Sequence, residues 1–298
     1  MVLPRAKITA YATSIFQRLR AIDEINFHQI QRSLNPRSNR DQIFKTGEAA
    51  GASGSFFFFS HDRRFIVKTM TDEELALLQK ILPALYKHLK AHPDSLLSRI
   101  YGVYTVEMQD YNRVNLILMG NTLRFDNRND VTRIYDLKGS TFSRQVKGRT
   151  THTSTLKDLN FLANQHFVNE VKLSNADVAK VNDAIRADTN FLARLHIMDY
   201  SILLGIESKV QVNTESYEQT VANAGRKASI KSTTELARFK RHRFSSPDSL
   251  QTYHVSIIDF LQLWNQGKRL ERFAKMNCLR VKGDHLSAME PVCYKKRF

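Results

Sequence analysis

Phe65-Ile66-Val67-Lys68-Thr69-Met70 sets a single lysine inside an apolar, β-prone run, and its flanks decide how the chain is read. Upstream, Gly51-Ala52-Ser53-Gly54-Ser55 is a glycine-rich turn, Phe56 to Phe59 is aromatic, and His61-Asp62-Arg63 closes a hairpin onto the lysine strand. Downstream, Leu75, Leu78, Leu82, Leu85 and Leu89 recur at helical spacing, with Thr71 and Glu74 placed as a capping box. Further strands are expected at Ile100 to Glu107 and Val114 to Met119, either side of the polar turn Gln109-Asp110-Tyr111-Asn112. The pattern predicts a mostly antiparallel sheet with one helix, and a crossing at Gly120-Asn121 into a second unit.

Beyond that crossing, a helix from about Ala176 to Leu195 starts at Ser174 with Asp177 and ends just before His196-Ile197-Met198-Asp199-Tyr200-Ser201. Residues from about Val210 to Thr252 are polar and basic with few large apolar side chains, which predicts a long flexible insertion. Its cluster from Arg238 to Arg243 reads either as an anion site or as a solvated charge run. Order is expected to resume at Tyr253-His254-Val255-Ser256-Ile257-Ile258, a β-type run ending at Asp259.

The chain has 298 residues, 42% hydrophobic and 25% charged, which suits a folded protein with a substantial core. Lys and Arg exceed Asp and Glu by 45 to 29, a formal charge of +16, so a polyanionic partner is expected: nucleic acid or an anionic membrane. Cys278 and Cys293 form no metal or redox motif and fit a reducing compartment. No apolar run approaches the roughly 20 residues needed to span a bilayer, so a soluble or peripheral protein on the cytosolic side is expected.

Phosphoryl transfer needs a backbone cradle over phosphates, a cation to neutralise them, a carboxylate to position the acceptor hydroxyl and another to hold Mg²⁺. The sequence offers these in order. Gly51, Ser53, Gly54 and Ser55 expose backbone amides, Lys68 follows on its strand, and Glu74 on the next helix is placed to pair with Lys68. Asp136, Asp199 and Asp259 each sit at the end of an apolar segment. Taken singly, each is as readily a turn or a cap; the order carries the reading. Protein-kinase signatures are absent, since no GxGxxG, H-R-D-L-x-x-x-N or D-F-G occurs.

Ile134-Tyr135-Asp136-Leu137-Lys138-Gly139-Ser140-Thr141 resembles the YDLKGS signature of phosphatidylinositol phosphate kinases, and Ile197-Met198-Asp199-Tyr200-Ser201-Ile202-Leu203 is similar to their IMDYSLL motif. The likeness continues through Gly51 to Ser55, Arg64 to Thr69, Leu156-Lys157-Asp158-Leu159-Asn160-Phe161-Leu162 and Ile257-Ile258-Asp259, from about residue 45 to Phe298. It implies an α+β, two-lobed kinase-like fold of antiparallel sheets with flanking helices: an N-terminal lobe over 1–119 and a C-terminal lobe over 120–298, with the insertion at 210–252 and an activation loop at 260–290. It implies ATP and Mg²⁺ as cofactors. Lys68 would hold the ATP phosphates, Lys138 would add a second cation near the γ-phosphate, Asp199 would orient or deprotonate the inositol hydroxyl, and Asp259 would bind metal. Arg144 matches a basic position that could grip a headgroup phosphate.

The loop after Asp259 carries Lys268, Arg269, Arg272 and Lys275 with Leu270, Phe273 and Met276, a basic amphipathic segment suited to a headgroup layer. The bland reading is a surface helix packed by its apolar side. Lys268-Arg269-Leu270-Glu271 resembles the KKLE of type I enzymes, which implies phosphatidylinositol 4-phosphate as substrate, with Glu271 setting the choice. Type III enzymes, acting on the 3-phosphate lipid, have a similar KKLE, and a catalytically weak lipid-binding scaffold is the other alternative. The partners expected are a phosphoinositide and an anionic membrane surface, with a homodimer admitted; nucleic acid is not expected, because basic residues interleaved with exposed aromatics do not occur outside the insertion. The ending Pro291 to Phe298 matches the family's PxxYxxRF but not the helix that normally follows, and the first 40 residues show no clear match, which suggests a kinase domain of a longer protein or a fragment.

Overall fold

The computed structural model describes residues 6–43, 56–109, 111–125, 131–151, 154–163, 172–208 and 242–298. Two five-stranded sheets organise them. The first comprises β1 (Ala6–Ala10), β2 (Phe57–Phe59), β3 (Phe65–Met70), β4 (Ile100–Met108) and β5 (Val114–Gly120) in the order β1-β4-β5-β3-β2, every neighbour antiparallel. The lysine strand is thus interior, between β5 and β2. The first residues, which carry no motif, supply β1 as an edge strand on β4, followed by α1 (Thr13–Ile22), α2 (Phe27–Ser33) and α3 (Pro36–Ile43).

α4 (Asp72–Ala91) follows β3 directly. Its capping box closes as expected: the Glu74 amide donates to Thr71 Oγ1 at 3.2 Å, and the Thr71 amide donates to Glu74 Oε2 at 2.8 Å. All five leucines of the helical pattern are buried. Fully burying a leucine removes about 1.5–3 kcal/mol of exposure cost, so this stripe fixes which face meets the sheet.

The second sheet comprises β6 (Val131–Leu137), β7 (Thr155–Lys157), β8 (Ser201–Ser208), β9 (Arg243–Ser245) and β10 (Gln251–Ile258), ordered β7-β6-β8-β10-β9. Here the expectation of antiparallel sheets is corrected, because β6 and β7 run parallel. A parallel pair needs a long crossover, and the stretch from Lys138 to Ser154 provides it. The helices of this half are α5 (Asp158–Ala163), α6 (Asn175–Arg194), α7 (Gln266–Asn277) and α8 (Pro291–Tyr294). α6 starts as read, with the Asp177 amide donating to Ser174 Oγ at 3.0 Å.

The expected insertion is also corrected at its far end. Arg243–Ser245 pairs with β10, which begins at Gln251. Polarity hid this strand because Arg243 and Ser245 are polar and its partner opens on Gln251 and Thr252. Residues 210–241 of that segment, including Arg238 to Arg241 of the basic cluster, lie outside the described residues, as do Gly51, Ser53, Gly54 and Ser55 of the glycine-rich turn.

The sheets are joined by backbone. Ser98 N donates to Ile257 O at 2.9 Å and Ile257 N to Leu96 O at 2.7 Å, while Thr122 Oγ1 meets Ser256 Oγ at 2.9 Å. Leu96, Leu97 and Ile257 are fully buried, and one apolar core runs from α4 through them to Tyr135, Tyr200 and Tyr294. No helix among the described residues is long and apolar enough to cross a membrane.

Candidate active site

Strand register brings the chemistry together. Leu137 lies opposite Ile202 and Ser201 opposite Ile258, so Lys138 leaves β6, Asp199 precedes β8 and Asp259 leaves β10 at one end of the second sheet. Lys68 approaches from the first sheet. Its ammonium meets Asp259 Oδ1 at 2.9 Å, and the Lys138 ammonium meets Asp199 Oδ1 at 2.8 Å. Each aspartate therefore holds one of the two lysines read from the sequence.

Both aspartates have left-handed backbones, with φ of 64° at Asp199 and 56° at Asp259. Left-handed geometry costs an L-residue about 1–2 kcal/mol, less for Asp than for bulkier side chains, and needs support from its surroundings. The support around Asp199 is visible: Met198 N donates to Gln262 O at 3.0 Å, Trp264 N to His196 O at 2.9 Å, and the buried Tyr294 hydroxyl to Tyr200 O at 2.5 Å. Tyr294 also packs edge-on to Tyr200 with ring centroids 4.8 Å apart. Burial pushes both phenols upward from the ordinary tyrosine range.

Glu74 does not pair with Lys68. Its carboxylate is committed to the Thr71 amide in the capping box, so the lysine's partner is Asp259 instead. Arg144 requires a second correction. It is buried and spans two carboxylates: Nε donates to Asp158 Oδ2 at 2.7 Å, and Nη2 to Asp136 Oδ1 at 2.6 Å and to the Asp136 carbonyl at 2.5 Å. Burial would lower its pKa, but Asp158 and Asp136 outweigh that and hold it above the ordinary arginine value. Arg144 therefore stiffens the loop rather than facing a headgroup.

The centre of that loop is Asp158, to which the sequence reading gave no role although it lies in a matched segment. Its Oδ1 accepts the amides of Lys138 at 2.9 Å and Gly139 at 2.8 Å. The only local signal was a carboxylate at a strand-to-helix junction. Gly139 has φ of 61°, and a Cβ there would come within 2.8 Å of Arg297 Cβ, so backbone conformation and space both require glycine.

Beside Lys68 a cleft enclosing about 360 Å³, partly open to solvent, is walled by Met70, Ile100, Ile117, Met119, Phe260 and Leu261, with Glu74 and Asp259 at its edge. Ser98 also lines it, and its buried hydroxyl finds no hydrogen-bond partner among the described residues. Apolar walls, one orphan hydroxyl, a lysine and a carboxylate fit a flat heterocycle carrying phosphates. Among the described residues no group of three or more His, Cys, Asp or Glu is arranged as a metal cage. Asp259 at the cleft offers one carboxylate, the kind of donor that Mg²⁺ takes together with phosphate oxygens.

α7 carries the remaining expected site residues. Asn265 caps it, donating no charge but accepting the Lys268 amide at 3.0 Å. Glu271 is gripped by Lys268 at 2.9 Å and Lys275 at 2.5 Å. Burial would raise the Glu271 carboxyl, but Lys275 and Lys268 outweigh it and hold the group below its ordinary value. Arg269 is exposed. The bland reading of this helix fails, because Leu270 and Phe273 are 69% and 66% exposed and no residue of the helix is buried.

The family model described as phosphatidylinositol-4-phosphate 5-kinase matches residues 38–298, which take in the cleft, both lysine–aspartate pairs and α7. The chain belongs to the phosphatidylinositol-4-phosphate 5-kinase family.

Within the family the likeness to individual relatives is moderate. A probable phosphatidylinositol phosphate kinase of Dictyostelium discoideum is 29% identical over 98% of this chain and 46% of its own length. A phosphatidylinositol 4-phosphate 5-kinase of Plasmodium falciparum is 29% identical over 97% of this chain and 18% of its own. The human phosphatidylinositol 4-phosphate 5-kinase type-1 beta is 32% identical over 83% of this chain and 49% of its own. The chain thus spans half or less of the length of these curated relatives.

Proposed function

We propose that the chain is a lipid kinase that transfers the γ-phosphate of ATP to the inositol ring of a phosphatidylinositol monophosphate at an anionic membrane surface. The substrate that the relatives' names favour is the 4-phosphate, which would yield the 4,5-bisphosphate. The observation carrying this reading is the paired arrangement Lys138–Asp199 and Lys68–Asp259 at the joined ends of the two sheets. We read those sheets as the two lobes of a kinase-like fold, residues 1–119 and 120–298.

The apolar cleft takes the nucleotide base, with the Ser98 hydroxyl free for one of its polar edges. Lys68 holds the phosphates, and the glycine-rich turn from Gly51 to Ser55 precedes its hairpin in sequence. Asp259 would hold Mg²⁺, which would supply positive charge to neutralise the phosphates. Asp199 accepts the proton of the attacking inositol hydroxyl. Lys138, held 2.8 Å from that carboxylate, orients it and stands ready to stabilise charge on the transferred group. Lys268, Arg269 and Glu271 on α7 contribute to headgroup recognition in this reading, with the enzyme a peripheral protein on the cytosolic face of a membrane.

Incubation with each monophosphorylated phosphoinositide, Mg²⁺ and ATP, with the product identified by mass spectrometry, tests the reading. A 4,5-bisphosphate product from the 4-phosphate lipid is expected, and a preference for the 3-phosphate lipid would move the assignment to the alternative 5-kinase reaction. Asp199→Asn and Lys68→Met are each expected to lower turnover by roughly 10³-fold. Undiminished turnover in either variant would refute its role, and no turnover in the parent would leave the scaffold reading. Glu271→Ala in the same assay is expected to change the lipid preference.

A further inference from the structure

α7 is reversed relative to an ordinary surface helix. Its half-buried positions are Lys268, Glu271, Arg272 and Lys275, while Leu270, Phe273 and Met276 point outward, followed by the exposed Leu279. With no buried apolar side chain to hold it, the helix needs another attachment to the protein.

Arg272 supplies one. Its Nη1 donates to the carbonyls of Gly283 at 3.0 Å and Ala288 at 2.8 Å, clasping the strap between them. The fit is close: a Cβ on Gly283 would lie 2.4 Å from Arg272 Nη2. The same strap reaches the catalytic loop. His285 O accepts the amides of Thr141 at 3.2 Å and Phe142 at 3.0 Å, residues that follow Lys138-Gly139-Ser140 directly. Arg297 adds a second hold, with Nη2 donating to Asp284 O at 2.8 Å and Leu286 O at 2.7 Å while its stem packs on Gly139. Lys275 lies 5.8 Å over the Phe142 ring.

We propose that Arg272 is a positioning residue: through the strap from Gly283 to Ala288 it ties the seating of α7 in a bilayer to the loop that carries Lys138. A headgroup presented in a membrane would then meet Lys138 and Asp199 correctly placed only while this tie is intact. Arg suits the task because its planar head directs several N–H groups at once, whereas Lys offers a flexible point charge. The consequence for turnover rests on the lipid-kinase reading above; the mechanical tie does not.

Two measurements test it on the full chain. Hydrogen exchange at the Thr141 and Phe142 amides is followed with and without vesicles of phosphatidylcholine and phosphatidylserine. Vesicles are expected to slow exchange in the parent and not in Arg272→Ala; equal slowing in both would overturn the proposal. In kinetics, Arg272→Ala is expected to lose roughly tenfold more kcat on phosphatidylinositol 4-phosphate in those vesicles than on a water-soluble short-chain form. It should keep most of its co-sedimentation with vesicles, and Arg272→Lys should fall between. Equal losses on both substrates would show a merely structural role, and loss of co-sedimentation would show a membrane contact; either overturns the proposal. If the parent phosphorylates no lipid, the kinase reading falls, and the exchange contrast still decides the tie.

Discussion

Truncating Arg144 would strand Asp136 and Asp158 in a loop where Asp158 is only 7% exposed. Removing one partner of a buried charge set costs about 3–5 kcal/mol, because the remaining charges lose their compensation. Arg144→Ala should therefore lower the unfolding free energy measured in urea by about that much, with any loss of activity following from disorder around Lys138. Undiminished stability with a raised KM for lipid would restore the headgroup role. The contrast also shows what a linear reading can reach. Lys68, Asp199 and Asp259 could be singled out because Lys68 interrupts an apolar strand, the two aspartates end apolar segments, and the three follow one another in order. Arg144 and Asp158 were not, since their roles come from contacts made across the crossover between β6 and β7, which composition does not reveal. Glu74 was read with two partners, and the nearer one, in its own helix, took it.

At the scale of elements, α4 and α6 were written plainly in spacing and caps, and the lysine hairpin in its turn. β9 and the start of β10 were not, because Arg243, Ser245, Gln251 and Thr252 give them a polar sequence. α7 was legible as amphipathic, but which side faced the protein was not, since both answers satisfy the same periodicity. The outward Leu270 and Phe273 give that orientation a test. Phe273→Asp places a charge where an aromatic would enter the headgroup layer, and removing that apolar contact costs about 1.5–3 kcal/mol of membrane affinity. Vesicle co-sedimentation should fall by at least roughly tenfold with the thermal midpoint near that of the parent. A drop in midpoint without loss of vesicle binding would mean that the side chain packs on the protein.

For the whole molecule, the final segment packs against the loops that carry Lys138 and Asp199. Tyr294 and Phe298 flank Tyr200, and Arg297 packs on Gly139. Because burial raises the folded-state pKa of Tyr200 and Tyr294 above the unfolded value near 10, their stabilising effect is fully present below pH 10. It is lost as pH rises beyond that value, by about 1.4 kcal/mol per pH unit for each phenol. Thermal midpoints between pH 8 and 11 should fall more steeply for the parent than for Tyr294→Phe; parallel curves would count against this role. The ion pair between Lys68 and Asp259 has a different kind of consequence. It fastens the two sheets with the same two groups that a polyphosphate and a divalent cation would claim, one each. Whichever ligand arrives first bears the work of opening that clasp and leaves the second a freed partner. Nucleotide and metal ion should accordingly strengthen each other's binding by the same factor, a reciprocity required of any two ligands that compete with one shared contact.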